Sequence, residues 1–278
     1  MRRAFAIAAL ATGLAGGEAA AVQAPAPAPV AAPVQAPVQA QAPRAACRGD
    51  HVHGVIGDGL CLPLRSFAPR RVPRNPVLVV FLHGNTGGPD VPVGDDLASY
   101  AADIARQPGT VAVTLTRPGH TGTDGRVADG PFRPQLLPDS PDIPAVAEAI
   151  AALKRHYHAR RVVVVGFSGG SRLIARMVQL QLGTFDGALL YACPCEDPAA
   201  EIAGTIPAGA RAYPRPIHLT LITGTTDYGT RGGPDFARVL RARHVDATFR
   251  PLRGIGHVFD DHVWSTTLKP ALLRLTRH

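Results

Sequence analysis

Six short runs along this chain are mostly apolar on both of the faces a strand presents: residues 77–83, 110–115, 161–166, 187–192, 217–223 and 247–252. Runs rich in Val, Leu and Ile without polar alternation suit strands of a parallel sheet that is covered on both sides. Segments with helical spacing stand between them. In residues 142–157, Ile143, Val146, Ala147, Ile150 and Leu153 form one stripe, and Asp142 and Pro144 supply start signals. Residues 94–106, 170–182, 234–243 and 263–276 also read as helices. Alternation of this kind builds βαβ units, so the predicted fold is α/β, a mainly parallel central sheet flanked by helices. Residues 52–67, turning at Gly57-Asp58-Gly59, are predicted to form an antiparallel hairpin at the sheet edge. The glycine- and proline-rich residues 118–141 follow a strand, which puts a long loop over the carboxyl edge, where open α/β sheets bind ligands.

The first 46 residues are unsuited to a core. Residues 1–21 carry the parts of a secretory signal peptide: Arg2 and Arg3, an apolar stretch over 4–15, and the small-residue end Glu18-Ala19-Ala20-Ala21. The apolar stretch is too short to span a bilayer. An apolar helix retained by the protein is the competing reading. Residues 22–46 are almost only Ala, Pro, Val and Gln, a composition that stays extended and reads as a linker. Its reach is about 75 Å at ~3.1 Å per residue. A single domain over 47–278 in the periplasm or outside the cell is the expectation, with no transmembrane segment in the mature chain. The net charge of +8 is nearly all arginine. Its arginines stand singly or in pairs such as Arg70-Arg71 and Arg160-Arg161, without interleaved aromatics, which speaks against nucleic acid as a partner. Solubility, or loose attraction to an anionic envelope, accounts for the charge. Export permits disulfides among Cys47, Cys61, Cys193 and Cys195. Of three possible pairings, Cys47 with Cys61 closes a loop worth about 3 kcal/mol and leaves Cys193 to pair locally with Cys195. One Cys-x-Cys and no other tight pair do not make a metal site.

The stretch "VVVVGFSGGS", Val162 to Ser171, runs a buried strand into glycines around one serine. Gly166-Phe167-Ser168-Gly169-Gly170 fits G-x-S-x-G at the point where a strand ends and a helix begins. A reversal that sharp strains the serine backbone and brings its neighbours close to adjoining elements, so glycines two before and two after avoid collisions. In this respect the chain resembles the α/β-hydrolase family, and the resemblance extends from about Val52 to the C-terminus. Ser171 is the nearby rival, but it falls on the first helical turn.

A serine needs a base, and the base needs a carboxylate to orient it. The family's order is Ser, acid, His. By that resemblance Asp227, in a turn after the strand 217–223, is the acid, and His257, between the last strand and the terminal helix, is the base. Asp260, Asp261 and His262 are the rivals, placed at the start of the last helix. An imidazole base has to be neutral, so activity is expected to fall in acid. The stretch "FLHGNTGG", Phe81 to Gly88, leaves its strand as the family's oxyanion loop does, which implies the backbone N–H groups of Asn85 and Gly169 as donors, with Thr86 as the alternative to Asn85. Asn85-Thr86 stand where the lipase branch carries further glycines. The interval 193–216 is short, so a large lid is not expected; residues 193–198 and the loop 118–141 partly roof an open cleft. Phe132, Phe167 and Tyr228 are its candidate lining, and Arg117, His120 and Arg126 are placed as groups favouring an acidic substrate. These features imply an exported serine esterase, without cofactor, acting on small-molecule or polymer-attached esters. The alternatives are a peptidase resembling the prolyl oligopeptidase catalytic domain, or a binding protein that kept the fold without catalysis.

Overall fold

The computed structural model describes residues 49–92, 96–134, 136–183, 185–205, 213–227 and 232–277. The signal-peptide and linker readings over 1–21 and 22–46, Cys47 and Tyr228 lie outside them. The chain forms strands β1 (Gly54–Gly57), β2 (Leu60–Phe67), β3 (Val77–Leu82), β4 (Thr110–Leu115), β5 (Arg161–Phe167), β6 (Gly187–Tyr191), β7 (His218–Gly224) and β8 (Asp246–Leu252). They make one eight-stranded sheet in the order β1-β2-β4-β3-β5-β6-β7-β8. β1 with β2 and β2 with β4 are antiparallel, and every later pair is parallel. The predicted hairpin is present, and Asp58 and Gly59 both take positive φ at its tip, as a tight two-residue turn requires.

Helices α1 (Asp96–Ala105), α2 (Asp142–His156), α3 (Gly169–Gln179), α4 (Glu196–Thr205), α5 (Gly233–Arg241), α6 (Asp261–Val263) and α7 (Lys269–Leu275) cover the sheet. Leu78, Val80, Val162 and Val164 bury one face together with residues of α2, α3, α4 and α5. Val79, Phe81, Val163 and Val165 bury the other face under α1 and α7. Each valine of β5 therefore has a helix above or below it, and full burial of such a side chain contributes about 1.5–3 kcal/mol.

Two elements depart from the sequence reading. Residues 193–198 are not a roofing loop throughout, because α4 starts at Glu196; of this polar helix only Pro198, Ala199 and Ile202 are buried, too few to show a helical stripe. The last helix is interrupted by a wider turn over Trp264–Leu268. Pro270, in the first turn of α7, lacks the N–H that a continuous helix needs, and the widened turn absorbs that loss. Cys193 and Cys195 are disulfide-bonded to each other and buried just beyond β6.

Arg176, on α3 and 1% exposed, is held to α4 by Glu201, which also accepts from Gln179. Removing one partner strands a buried guanidinium. Glu201→Ala is expected to lower the unfolding free energy by about 1–3 kcal/mol. Arg176→Met combined with Glu201→Ala should cost less than the single change, because no uncompensated charge is left. Urea unfolding of the three proteins measures this, and a double variant weaker than Glu201→Ala contradicts it.

Candidate active site

The sheet register sets where the site lies. β3 and β5 pair so that Leu82, the last residue of β3, is beside Gly166, and β5 stops one residue later at Phe167. Ser168 follows with φ 51° and ψ −115°, a left-handed conformation that costs an L-residue energy, and α3 starts at the next residue. Its backbone N–H is tied to the carbonyl of Tyr191 on β6, at 3.0 Å. The glycines are required by close approach. A Cβ on Gly166 would stand 2.6 Å from the Ser171 nitrogen, and one on Gly170 would stand 2.2 Å from the Leu82 carbonyl oxygen. Ser171 is fully buried and donates to the carbonyls of Gly166 and Tyr191, so it braces the reversal from beneath. Ser168 itself is partly exposed, and its hydroxyl has no hydrogen-bond partner among the described residues.

Asp227 and His257 come from neighbouring parallel strands. Gly224 at the end of β7 is level with Leu252 at the end of β8, and the two following loops are tied to each other. Thr225 N–H donates to the Leu252 carbonyl, Thr226 N–H to the Ile255 carbonyl, and Gly254 N–H to the Thr225 hydroxyl. This brings His257 Nδ1 to 2.8 Å from Asp227 Oδ2. The carboxylate side chain is 2% exposed and the imidazole side chain 43%. A carboxylate only accepts, so Nδ1 carries the hydrogen of this bond. The imidazole ring lies 5.0 Å from the ring of Phe167, the residue before Ser168, and Phe167 stacks in turn on Tyr191. The Tyr191 hydroxyl donates to the Val258 carbonyl, holding the His257 loop against β6. Burial, with Asp227 and Asp260 nearby, pushes that phenol up to about 12, so it remains a donor. The rivals are otherwise engaged: Asp260 caps α6 through Val263 N–H, Asp261 accepts from Tyr100, and His262 lies within α6.

The loop after β3 runs along the elbow. A Cβ on Gly84 would meet the Ser168 Cβ at 3.2 Å, and one on Gly169 would meet Asn85 Oδ1 at 2.2 Å. Asn85 is fixed at both ends of its amide, donating to the Pro134 carbonyl at 2.6 Å and accepting from Arg117 Nη1 at 3.0 Å. The Thr86 hydroxyl is turned into its own loop, donating to Gly88.

Arg117 corrects one expectation. It is 2% exposed and does not face an open cleft as a selector of acidic substrates; it sits behind the Asn85 loop. Besides Asn85 it reaches the His83 carbonyl, and its backbone N–H donates to His83 Nε2 at 3.0 Å. His83 Nδ1 in turn donates to the Gly84 carbonyl, so the ring is neutral with both nitrogens used. Burial, with Arg117 and His120 beside it, holds its pKa well below the ordinary value. Burial lowers Arg117 to about 10, opposed by the charge of Asp142, so the guanidinium stays protonated at neutral pH. His120 is fully buried against His83 and Phe132. Arg126 is bound to Asp124 and to carbonyls of His53 and Leu64, also away from the cleft. The signal that marks Arg117 in the sequence is its place two residues beyond a mostly apolar, buried strand, where a charge needs partners.

His120 gives this network a pH dependence. Burial first, then the nearby Arg117, lowers its pKa from 6.5 to about 4. Between those values the unfolded chain binds a proton that the folded chain does not, so stability falls as pH falls through that window. His120→Phe is expected to flatten the slope of the melting temperature against pH there, and unchanged slopes in the two proteins contradict it.

Comparison with other proteins follows the same lines. No curated protein matches the chain. Among solved structures, the Est1E protein of Butyrivibrio proteoclasticus with ferulic acid bound superposes with a TM-score of 0.58 at 14% identity, covering 82% of this chain and 100% of that one. The propionate-bound thermophilic esterase Est2 of the planctomycete Thermogutta terrifontis gives 0.53 at 18% identity, over 82% and 95%. An alpha-beta serine hydrolase homologue from Coxiella burnetii gives 0.55 at 14% identity, over 80% and 95%. Such likenesses at low identity establish the fold. The sequence itself, over residues 79–277, matches the family described as the alpha/beta hydrolase family. This chain belongs to the alpha/beta hydrolase family.

Proposed function

We propose that this protein is an exported serine hydrolase that cleaves carboxylic esters through an acyl-enzyme. The observation that carries the reading is the buried Asp227 carboxylate at 2.8 Å from Nδ1 of a partly exposed imidazole whose ring packs on the residue before a strained serine. In this scheme Ser168 Oγ attacks the ester carbonyl carbon and its proton passes to His257 Nε2. The carbonyl oxygen becomes an oxyanion facing the backbone N–H groups of Gly169 and Asn85. Asp227 keeps the imidazole in the right tautomer and favours the imidazolium that forms. Collapse breaks the bond to the alcohol, which leaves with the proton from His257. Water then loses a proton to the same nitrogen and attacks the acyl carbon; the acyl bond to Ser168 Oγ breaks as His257 returns that proton to Oγ, which frees the serine and a carboxylic acid.

The start of α3 supports the oxyanion role. The helix begins at Gly169, directly after Ser168; the first N–H groups of a helix have no partner within it, and its N-terminus favours negative charge. The exposure of His257 supports substrates that enter from solution, small esters or ester groups on a polymer, and Phe167 offers an apolar surface beside the base. That two of the similar structures are named as holding ferulic acid or propionate agrees with a carboxylic acyl group. Export rests on residues 1–21, with 22–46 as the tether to the domain.

Chromogenic esters of graded acyl length, beside an amide of the same chromophore, test the reading. Wild type is expected to release the ester chromophore with a burst, Ser168→Ala to lose turnover while keeping its melting temperature, and Asp227→Asn to drop kcat by about 10⁴-fold through the wrong tautomer. Turnover by Ser168→Ala close to wild type overturns the assignment.

A further inference from the structure

The arginines that stand apart in the sequence meet in the fold. β3, β4 and β5 start level with one another, because Val77 pairs with both Thr110 and Arg161. The segments that precede those strands, residues 68–76, 106–109 and 157–160, therefore lie side by side along the amino edge of the sheet. Arg70, Arg71, Arg74 and Arg160 are exposed there, as is Arg155 in the last turn of α2 just before residues 157–160, and their guanidinium groups have no partner among the described residues. Val72, between Arg71 and Arg74 in the chain, is 48% exposed. A groove of about 420 Å³ beside it is lined by Val72, Arg74, Asn75, His156, Tyr157 and His158. Carboxylates toward this edge have other partners: Asp50 pairs with His53, Asp103 with Arg106, Lys269 and Trp264, Asp186 with Lys154 and the backbone of Val162, and Asp246 with His218.

We infer that this edge is a docking surface for an anionic phospholipid membrane. Clustered arginines that lack carboxylate partners leave a positive face whose complement is a layer of phosphodiesters. The exposed valine at the centre of the cluster decides between anionic surfaces. A nucleic acid or soluble polyanion has nothing to gain from an apolar tip, whereas a bilayer takes up the valine below the headgroups while the arginines hold the phosphates. The proline-flanked loop, Pro69 to Pro76, presents valine and arginines on a restricted backbone, so little freedom is lost on docking. Among the described residues no helix is long and apolar enough to cross a membrane, so this contact is peripheral. Ser168 stands at the other end of β5, seven residues away along the strand. That spacing is about 20 Å, and docking leaves the candidate active site facing the aqueous side. The inference is independent of the hydrolase reading.

Flotation of the full chain with vesicles tests it. The comparison is phosphatidylglycerol mixed with phosphatidylcholine against phosphatidylcholine alone. Binding is expected only to the anionic vesicles, and it is lost at ~1 M salt, where the screening length falls to about 3 Å. Arg71→Ser with Arg74→Ser should weaken binding about tenfold or more, and the charge-matched Arg250→Ser with Arg253→Ser less than about threefold. Val72→Asp should weaken vesicle binding without changing retention on heparin more than one unit of charge does. Equal losses in the two double variants, equal binding to neutral vesicles, or a preference for heparin or RNA over vesicles in competition each overturn the inference.

Discussion

Parallel pairing makes strands end level, and in this protein four strand ends hold the whole site. Leu82 beside Gly166 sets the Asn85 loop against the elbow, and Gly224 beside Leu252 sets the acid loop against the imidazole loop. None of these contacts depends on a long flexible segment finding its partner. The reversal at Ser168 is the strained member of the set, and its cost is met by the buried hydroxyl of Ser171, the bond from Ser168 N–H to Tyr191, and the packing of α3 on β5. A one-residue slip between β5 and β6 would break the two bonds made to the Tyr191 carbonyl.

Behind the site lies a second layer that the reaction scheme does not name. Arg117, His83, Asn85 and the Pro134 carbonyl form a chain of hydrogen bonds in which Asn85 is gripped at both ends. A cation is buried there at a desolvation cost, which shows in its lowered pKa. What the arrangement gains is a loop whose backbone has one conformation beside Gly169, the kind of preset geometry that oxyanion stabilisation demands.

The strands and most helices were legible because burial on both faces and helical spacing are local patterns: β4 and α2 lie within a residue of the predicted bounds. The serine motif was legible because glycines two residues to either side have a steric cause that the structure displays. The polar helix α4 was not, since three buried residues in ten leave no stripe. Nor were the roles of Arg117, whose partners His83 and Asn85 follow β3 far away in sequence, and of His120, which packs on the His83 ring. The arginine cluster was hidden for the same reason. Its members are distributed over loops that become neighbours only once the strands are paired. Asp227 and His257 were legible only through the family resemblance, whose order of serine, acid and histidine singles them out; the structure adds that they follow the ends of two adjacent parallel strands.

The central claim is that Ser168 is a nucleophile whose developing charge falls between Gly169 and Asn85 and whose proton goes to His257. A crystal structure after treatment with an activated organophosphonate tests it most directly. The account predicts phosphorus bonded to Ser168 Oγ, its oxygen within hydrogen-bond distance of the Gly169 N–H, and His257 Nε2 turned toward Oγ. An unmodified Ser168, or an adduct whose oxygen points away from the start of α3, contradicts it.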